Sequence, residues 1–393
     1  MLNTAVILAG GKGTRLRPLT YSVPKPLVPV ANKPAIEYII ELLIKYGISK
    51  AVVAVNYLGD MIREYFSSRE FKDIDIHVPL INSLDTADAV RKCHKYIDDD
   101  FFVVMGDVLT DMNLKNFGLY HYLKKGIATI ALIDVENPLE YGLTIVDRDM
   151  RIRGFVEKPT SIEAYMVNLA YAKIMGVISY RNYVNSGFYA FDYSIVDIIR
   201  ENLYLMDWSR HVFPFLLEEE YKLYGWDSGD VYWLDIGRPE TYLRANKDIM
   251  DLNSGSIRPS GVEIEKRVWI GEETKISSNV NIVPPVVIGN NVYIGSDSII
   301  GPYTVIGDDS YIESKSRIRE SVIWDHVNIE ENVEIESSII ANNVWIGKNA
   351  KIMPLSVIGS NVKIEPFGVV DERSRIKPGE VVYAKKVIEV EFK

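Results

Sequence analysis

Three features near the start of the chain could do chemistry on a polyphosphate: a cluster of glycines, an arginine and a lysine held between prolines. The apolar run Thr4 to Ala9 stops abruptly at Gly10-Gly11-Lys12-Gly13-Thr14-Arg15. That change predicts a buried strand opening into a loop whose backbone can approach a ligand closely. Such a loop turns several N–H groups toward phosphate oxygens, and Arg15 adds a planar, forked cation. Lys25 stands between Pro24 and Pro26, which stiffen the chain and limit where the ammonium can point. Neither of the two commoner phosphate loops fits. The third glycine of a dinucleotide fingerprint is replaced by Leu16, and Lys12 is followed by Gly13 rather than Ser or Thr.

Further along, Asp107 follows Phe101-Phe102-Val103-Val104-Met105-Gly106. It therefore belongs at the carboxyl end of a buried strand, where α/β sheets bind ligands. A turn-forming aspartate is the other reading of this position. Asp85 is either the N-cap of a helix starting at Thr86 or an acceptor for a ligand's N–H groups.

The elements needed to position these residues alternate strand and helix over residues 1–250. Strands are expected at Lys50–Val55, Ile74–Val78, Phe101–Met105 and Ile127–Ile133, with helices at Pro34–Tyr46, Asp60–Ser67, Thr86–Tyr96 and Leu114–Lys124. A closing helix, Pro239–Met250, begins with proline. Residues 251–261 read as a linker.

Beyond the linker the period becomes six. Isoleucine recurs from 264 to 318 in steps of six, then at 323, 329 and 335, then from 340 to 364, with two five-residue steps between the runs. Such a repeat predicts a parallel β-helix over residues 262–370, with each isoleucine pointing inward and the short steps forming tightened corners. Residues 371–393 are expected to lie outside the ladder as a cap.

Composition narrows the function classes. The chain has 393 residues, 47% hydrophobic, with a formal charge of −10. That charge disfavours nucleic acid or an anionic membrane as principal partner. No apolar run approaches the ~20 residues of a membrane span. No secretory signal is recognisable, and the single cysteine, Cys93, has no internal partner. A cytoplasmic protein is expected.

The run Ile7–Pro26, ILAGGKGTRLRPLTYSVPKP, resembles the signature of the sugar-1-phosphate nucleotidylyltransferases. The segment Trp233-Leu234-Asp235-Ile236-Gly237-Arg238-Pro239-Glu240 is similar to that family's W-x-D-x-G-x-P-E stretch, and Glu157-Lys158-Pro159 to its E-K-P triplet. The resemblance implies a Rossmann-like α/β domain with a mixed sheet, followed by a left-handed parallel β-helix. It implies transfer of a nucleotidyl group from a nucleoside triphosphate to a sugar 1-phosphate, with release of pyrophosphate. The attacking phosphate oxygen is already ionised, so positioning and charge neutralisation carry the reaction.

On the same resemblance, Gly10, Gly11, Gly13, Thr14 and Arg15 hold the triphosphate and Lys25 neutralises the reacting phosphates. Asp107 and Asp235 bind magnesium. Lys158, Glu157, Asn185 and Gly142 place the sugar phosphate. Asn82 and Asp85 face the base, and here the chain departs from pattern, with Asp85 where the family has glycine. GTP with mannose 1-phosphate is the preferred pair. The start of the chain and Trp208-Ser209-Arg210-His211-Val212-Phe213-Pro214 lean that way, while Thr86-Ala87-Asp88-Ala89 leans toward the glucose and ADP group.

Glucose-1-phosphate adenylyl-, thymidylyl- or uridylyltransferase chemistry stays open. So do an added acetyltransferase activity using His326 in the β-helix and a non-catalytic regulatory subunit. The β-helix is expected to build a homo-oligomer.

Overall fold

The computed structural model describes residues 2–137, 141–157, 160 and 181–384. Lys158 and the tyrosine-rich stretch 161–180 lie outside the described residues. The chain divides into two compact units: Met1–Gly11 with Ile39–Trp233, and Lys12–Tyr38 with Leu234–Lys393. The division departs from the expected break at residue 250. The loop carrying Arg15 and Lys25 and the helix Pro239–Met250 group with the β-helix.

The first unit is built on a mixed sheet. Its strands run in the order Ile152–Glu157, Gly142–Val146, Tyr183–Phe191, Phe101–Met105, Thr4–Leu8, Lys50–Ala54 and Asp75–His77. Thr4–Leu8 is central, parallel to Lys50–Ala54 on one side and Phe101–Met105 on the other. Both of its faces are covered, which is why TAVIL and FFVVM are continuous apolar runs rather than alternating ones. Tyr183–Phe191 is antiparallel to Phe101–Met105 and also pairs with Ala128–Asp134. A core of aromatic rings packs behind it, with Trp208 stacked on Phe191 at 4.4 Å between centroids.

In the second unit the six-residue period closes a three-faced parallel β-helix. Neighbouring coils pair 18 residues apart, as Ile288 with Ile306, and 17 apart across the shortened corners, as Ile306 with Ile323. Nearly every corner carries one residue in the left-handed region, Pro284-Pro285 being the exception, and the spacing tightens from Lys315 to Glu320 and from Asn332 to Ser337. Asparagine fills many of these corners (Asn279, Asn291, Asn332, Asn343, Asn349 and Asn361) because its short polar side chain tolerates positive φ.

Two expectations are corrected here. Ile264 is 58% exposed and Ile276 38%, so the inward ladder is not complete at its first coil. Val262–Glu265 runs antiparallel to Val268–Ile270 and so forms an edge rather than a rung. Nor does the ladder stop at residue 370. Arg375–Ile376 and Val381–Val382 pair in parallel with Val357–Ile358 and Lys363–Ile364, because the alternation of strand and corner persists with valine and isoleucine sharing the inward positions.

Val287, Val305, Val322 and Ile339 alternate with the core isoleucines and so face outward, yet all are buried. The helix Pro239–Met250 and the hairpin Pro29–Pro34 are tied to this face. Trp324 Nε1 donates to Tyr242 OH at 2.9 Å, and Asn32 Nδ2 to the Ile306 carbonyl at 2.6 Å. Asn246 Oδ1 accepts from the Ala31 N–H at 2.7 Å, locking helix to hairpin turn. Residues 251–261 are not a loose linker either. Asp251 pairs with Arg267, Ser254 is buried, and the Ser260 N–H bonds the Ala31 carbonyl at 3.1 Å.

Candidate active site

The candidate residues divide between the two units. In the first, sheet register sets their positions. Gly142 is the register partner of Glu157, and Leu143 that of Val184, so Gly142 also stands level with Asn185 on its other flank. Phe188 pairs with Val104, and beyond a register shift between Asn185 and Tyr189 the strand carries Asn185 toward the end of the sheet where Asp107 follows its own strand. Gly106 donates to the Leu8 carbonyl at 3.0 Å, and a Cβ there would lie 3.1 Å from that oxygen. Asp107 therefore begins where the central strand gives way to Gly10 and Gly11. Glu157, Gly142, Asn185, Asp107 and the first loop glycines thus share one edge of the sheet, its carboxyl edge for the parallel strands.

Local geometry supports this row. Gly187 has φ of +81°, and a Cβ there would lie 2.5 Å from Met105 Cγ. Only glycine lets the two strands meet at this bulge. Asn185 Oδ1 accepts from the Gly187 N–H at 2.9 Å, while its Nδ2 donates to Tyr189 OH at 3.0 Å and Ser209 Oγ at 3.3 Å. The Trp233 indole N–H bonds the Ser186 carbonyl at 2.9 Å, and the Tyr141 ring rests edge-on against Trp233.

The segment holding Asn82 and Asp85 reaches the same edge. Asn56, just beyond Lys50–Ala54, donates to the Ser83 carbonyl at 3.0 Å, and a Cβ on Gly10 would lie 3.1 Å from Asn56 Cβ. Asn82 is exposed, and its carbonyl accepts from Lys92. Asp85 is the N-cap of Thr86–Lys92: Oδ1 accepts the Thr86 N–H at 2.9 Å. Its Oδ2 meets Arg210 Nη2 at 2.6 Å. Burial, reinforced by the nearby Asp207 carboxylate, pushes the Asp85 carboxyl up, against the pull of Thr86 N–H and Arg210. Asp207 suffers burial too, but the Arg210 N–H, the Thr86 hydroxyl and the Arg210 charge hold it below the ordinary range.

Sequence reasoning did not single out Asp207, Ser209 or Arg210. Asp207 caps, and Ser209 and Arg210 belong to, a short π-helical turn, Trp208–Val212, and this segment touches both Thr86 and Asn185. The Trp208–Pro214 run was the available signal, since it matched a pattern without an assigned role.

In the second unit Gly13 takes φ of +57°, where a Cβ would meet Thr20 Cγ2 at 2.9 Å, and its carbonyl accepts the Thr20 hydroxyl at 2.8 Å. This turn opens the 3-10 segment Thr14–Leu16, with Leu16 buried as anchor and Arg15 outward. Pro24 and Pro26 bracket the 3-10 turn that points Lys25 inward. Lys25 Nζ lies 2.8 Å from Asp235 Oδ1 and Arg15 Nη2 lies 3.2 Å from Oδ2. The three side chains are 8%, 59% and 27% exposed for Lys25, Arg15 and Asp235. Burial alone would raise the Asp235 carboxyl. The Lys25 ammonium outweighs it, helped by Arg15 and the Gly237 N–H, and holds the group below the ordinary carboxylate range. A Cβ at Gly237 would lie 2.8 Å from Arg15 Nη2 and 2.9 Å from both Asp235 oxygens, so the ion pair would have to shift to admit one.

Among the described residues no group of three or more His, Cys, Asp or Glu side chains could by itself hold a metal ion, and no helix is long and apolar enough to cross a membrane. His326 occupies a left-handed corner of the β-helix, with Nδ1 3.7 Å from Asp309.

The first unit is thus an α/β fold with polar residues gathered toward the carboxyl edge of its sheet, and the second carries a glycine turn with two cations paired to Asp235. The family profile described as "Nucleotidyl transferase" matches residues 4–251, and one described as "EIF2B subunit epsilon LbH domain" matches residues 266–370. The chain belongs to the nucleotidyl transferase family; it is an enzyme of the sugar-phosphate kind, and its second fold is a left-handed β-helix. It is 29% identical to the UTP–glucose-1-phosphate uridylyltransferase of Synechocystis sp., over 72% of this chain and 77% of that protein. It is 32% identical to mannose-1-phosphate guanyltransferase beta-B of Xenopus laevis, over 61% of this chain and 62% of that one. The match thus spans about three-fifths of the guanyltransferase. The crystal structure of HddC from Yersinia pseudotuberculosis complexed with GMP-PN shares the fold, with TM-score 0.51 at 24% identity, over 63% of this chain and 99% of HddC.

Proposed function

We propose that this enzyme transfers a guanylyl group from GTP to mannose 1-phosphate, giving GDP-mannose and pyrophosphate. The observation that supports the reading is the sheet edge: register sets Asn185, Gly142 and Glu157 side by side, at the end of the sheet where Asp107 and the first loop glycines follow their parallel strands. In this account Gly10, Gly11, Gly13, Thr14 and Arg15 hold the triphosphate. Lys25 neutralises charge as the α-phosphorus is attacked. Glu157, Asn185, Gly142 and Lys158 place the sugar phosphate, with Asn82 and Asp85 toward the base. The guanyl preference draws support from the Xenopus relatives and a fungal one, the mannose-1-phosphate guanyltransferase of Gibberella zeae, at 33% identity.

Magnesium fits the donor set. A cation of this kind takes one or two carboxylates and completes its shell with phosphate oxygens and water, rather than needing a cage of protein ligands. Asp235, held ionised and partly open to solvent, suits that role, and Asp107 would supply the other carboxylate. When bound, the metal would neutralise charge on the phosphates. The β-helix would carry self-association, consistent with exposed apolar groups such as Tyr311, Met353 and Phe367 on its surface.

A second reading, UTP with glucose 1-phosphate, is favoured by the Synechocystis relative, whose match extends over more of this chain. Pyrophosphate release with GTP, ATP, dTTP and UTP crossed against mannose, glucose and N-acetylglucosamine 1-phosphates separates the two. The proposal requires the highest kcat/KM for GTP with mannose 1-phosphate; a clear UTP and glucose optimum would replace it.

A further inference from the structure

We infer that Arg210 and Asp85 form a pair that selects guanine. The inference rests on the nucleotidyl-transfer reading above and goes beyond it by assigning base choice to a residue far from the glycine loop in sequence.

The pair stands at the right place. The Ser83 carbonyl is bound by Asn56 at 3.0 Å, and the Gly10 backbone packs against Asn56. The Tyr57 N–H also reaches the Gly10 carbonyl, at 3.5 Å. The 83–86 segment therefore lies beside Gly10 at the carboxyl edge of the sheet, where α/β proteins bind nucleotides.

The pair is also held in place from several sides. The Ala87 and Asp88 N–H groups donate to the Met206 carbonyl at 2.8 and 3.1 Å, clamping the first turn of that helix to the chain entering the π turn. Asp207 Oδ2 accepts the Thr86 hydroxyl at 3.0 Å, and Oδ1 the Arg210 N–H at 2.8 Å. The guanidinium then bridges two carboxylates, Asp85 at 2.6 Å and Asp207 at 3.4 Å, while remaining 63% exposed. An ion pair that open adds roughly 0–1 kcal/mol to stability, and its exposure leaves the guanidinium within reach of a ligand.

Its chemistry matches one base. Guanine presents acceptors at O6 and N7 beside donors at N1 and the 2-amino group. A guanidinium beside a carboxylate offers the complement, donors next to an acceptor, and Arg binds O6 and N7 in a forked manner. Adenine reverses the pattern, placing its 6-amino donor against the cation and its N1 acceptor against the carboxylate.

The test is kcat/KM for GTP, ITP, ATP and UTP with a fixed sugar 1-phosphate, in the full-length wild type, Arg210→Ala, Arg210→Lys and Asp85→Asn, with thermal unfolding as the fold control. ITP lacks the 2-amino group, so it isolates the carboxylate. Arg210→Ala should lower kcat/KM for GTP about ten- to a hundredfold through KM, with ATP and UTP little changed. Arg210→Lys should recover only part of the loss. Asp85→Asn should erase a GTP-over-ITP preference of about tenfold. Should Arg210→Ala fail to fold, the ITP comparison in Asp85→Asn decides the matter. Equal losses with every nucleotide, or an unmoved GTP preference, overturn the pair while leaving the guanylyl reading in place. A wild type that prefers another base overturns both.

Discussion

Lys25 Nζ donates to Asp235 Oδ1 at 2.8 Å, joining residues 210 positions apart in the chain. A buried ammonium is costly without a partner, and so is a mostly shielded carboxylate. The ammonium holds the carboxyl ionised, and Arg15 takes the second carboxylate oxygen. The arrangement sets two cations around one anion, and in the proposed function those cations meet the negative charge of the triphosphate.

Removing the ammonium should therefore cost activity and stability together. Lys25→Ala is expected to reduce turnover at least about a hundredfold. It should also destabilise the fold by about 2 kcal/mol, below the full penalty for a buried pair because Asp235 is partly exposed. Initial rates and urea unfolding of the variant check both; a variant with unchanged rates removes Lys25 from the reaction.

His121 makes the first unit sensitive to acid. Burial pushes its imidazole down from 6.5 to about 4, slightly opposed by Asp192, and Nδ1 lies 2.8 Å from the Thr129 hydroxyl oxygen. The folded state thus favours neutral histidine. Its contribution is complete above pH 6.5 and disappears as the pH falls toward 4, an effect of about 3 kcal/mol. His121→Asn should flatten the stability profile over that window; an unchanged slope would assign the acid sensitivity elsewhere.

Gly187 holds the strand carrying Asn185 against Met105. Gly187→Ala combines positive φ with a clash against a side chain already packed. A loss of about 2 kcal/mol is expected, together with weaker sugar 1-phosphate binding, read as a raised KM. A silent substitution would show that the bulge tolerates a Cβ and does not set Asn185.

Trp324 and Tyr242 couple the β-helix to the helix that follows Asp235. Trp324→Phe and Tyr242→Phe should each destabilise by about 1 kcal/mol, and the double variant by less than their sum. Strict additivity in a double-mutant cycle would deny the bond an energetic role.

Much of this was legible in the sequence, for identifiable reasons. The period of six is set by backbone geometry, so isoleucine spacing revealed the β-helix and both shortened corners. The Thr4–Leu8 and Phe101–Met105 strands announced themselves as apolar runs ending in glycine. Contacts between distant segments were not legible. Nothing local in Trp208–Pro214 indicates that Arg210 meets Asp85, and nothing in residues 12–38 indicates that they pack with the β-helix through Asn32 and Ala31. The persistence of the ladder past residue 370 was hidden because Val370 and Val382 interrupt the isoleucine count on either side of Ile376.

The most direct measurement is pyrophosphate release from GTP and mannose 1-phosphate with magnesium, for the wild type and Asp107→Asn side by side. The account predicts robust release by the wild type and, from a variant with the same circular dichroism and melting temperature, a rate lower by about a thousandfold or more. Near-normal release by the folded variant would contradict the role given to the sheet edge, and silence of the wild type with every nucleotide and sugar phosphate would contradict the enzyme itself.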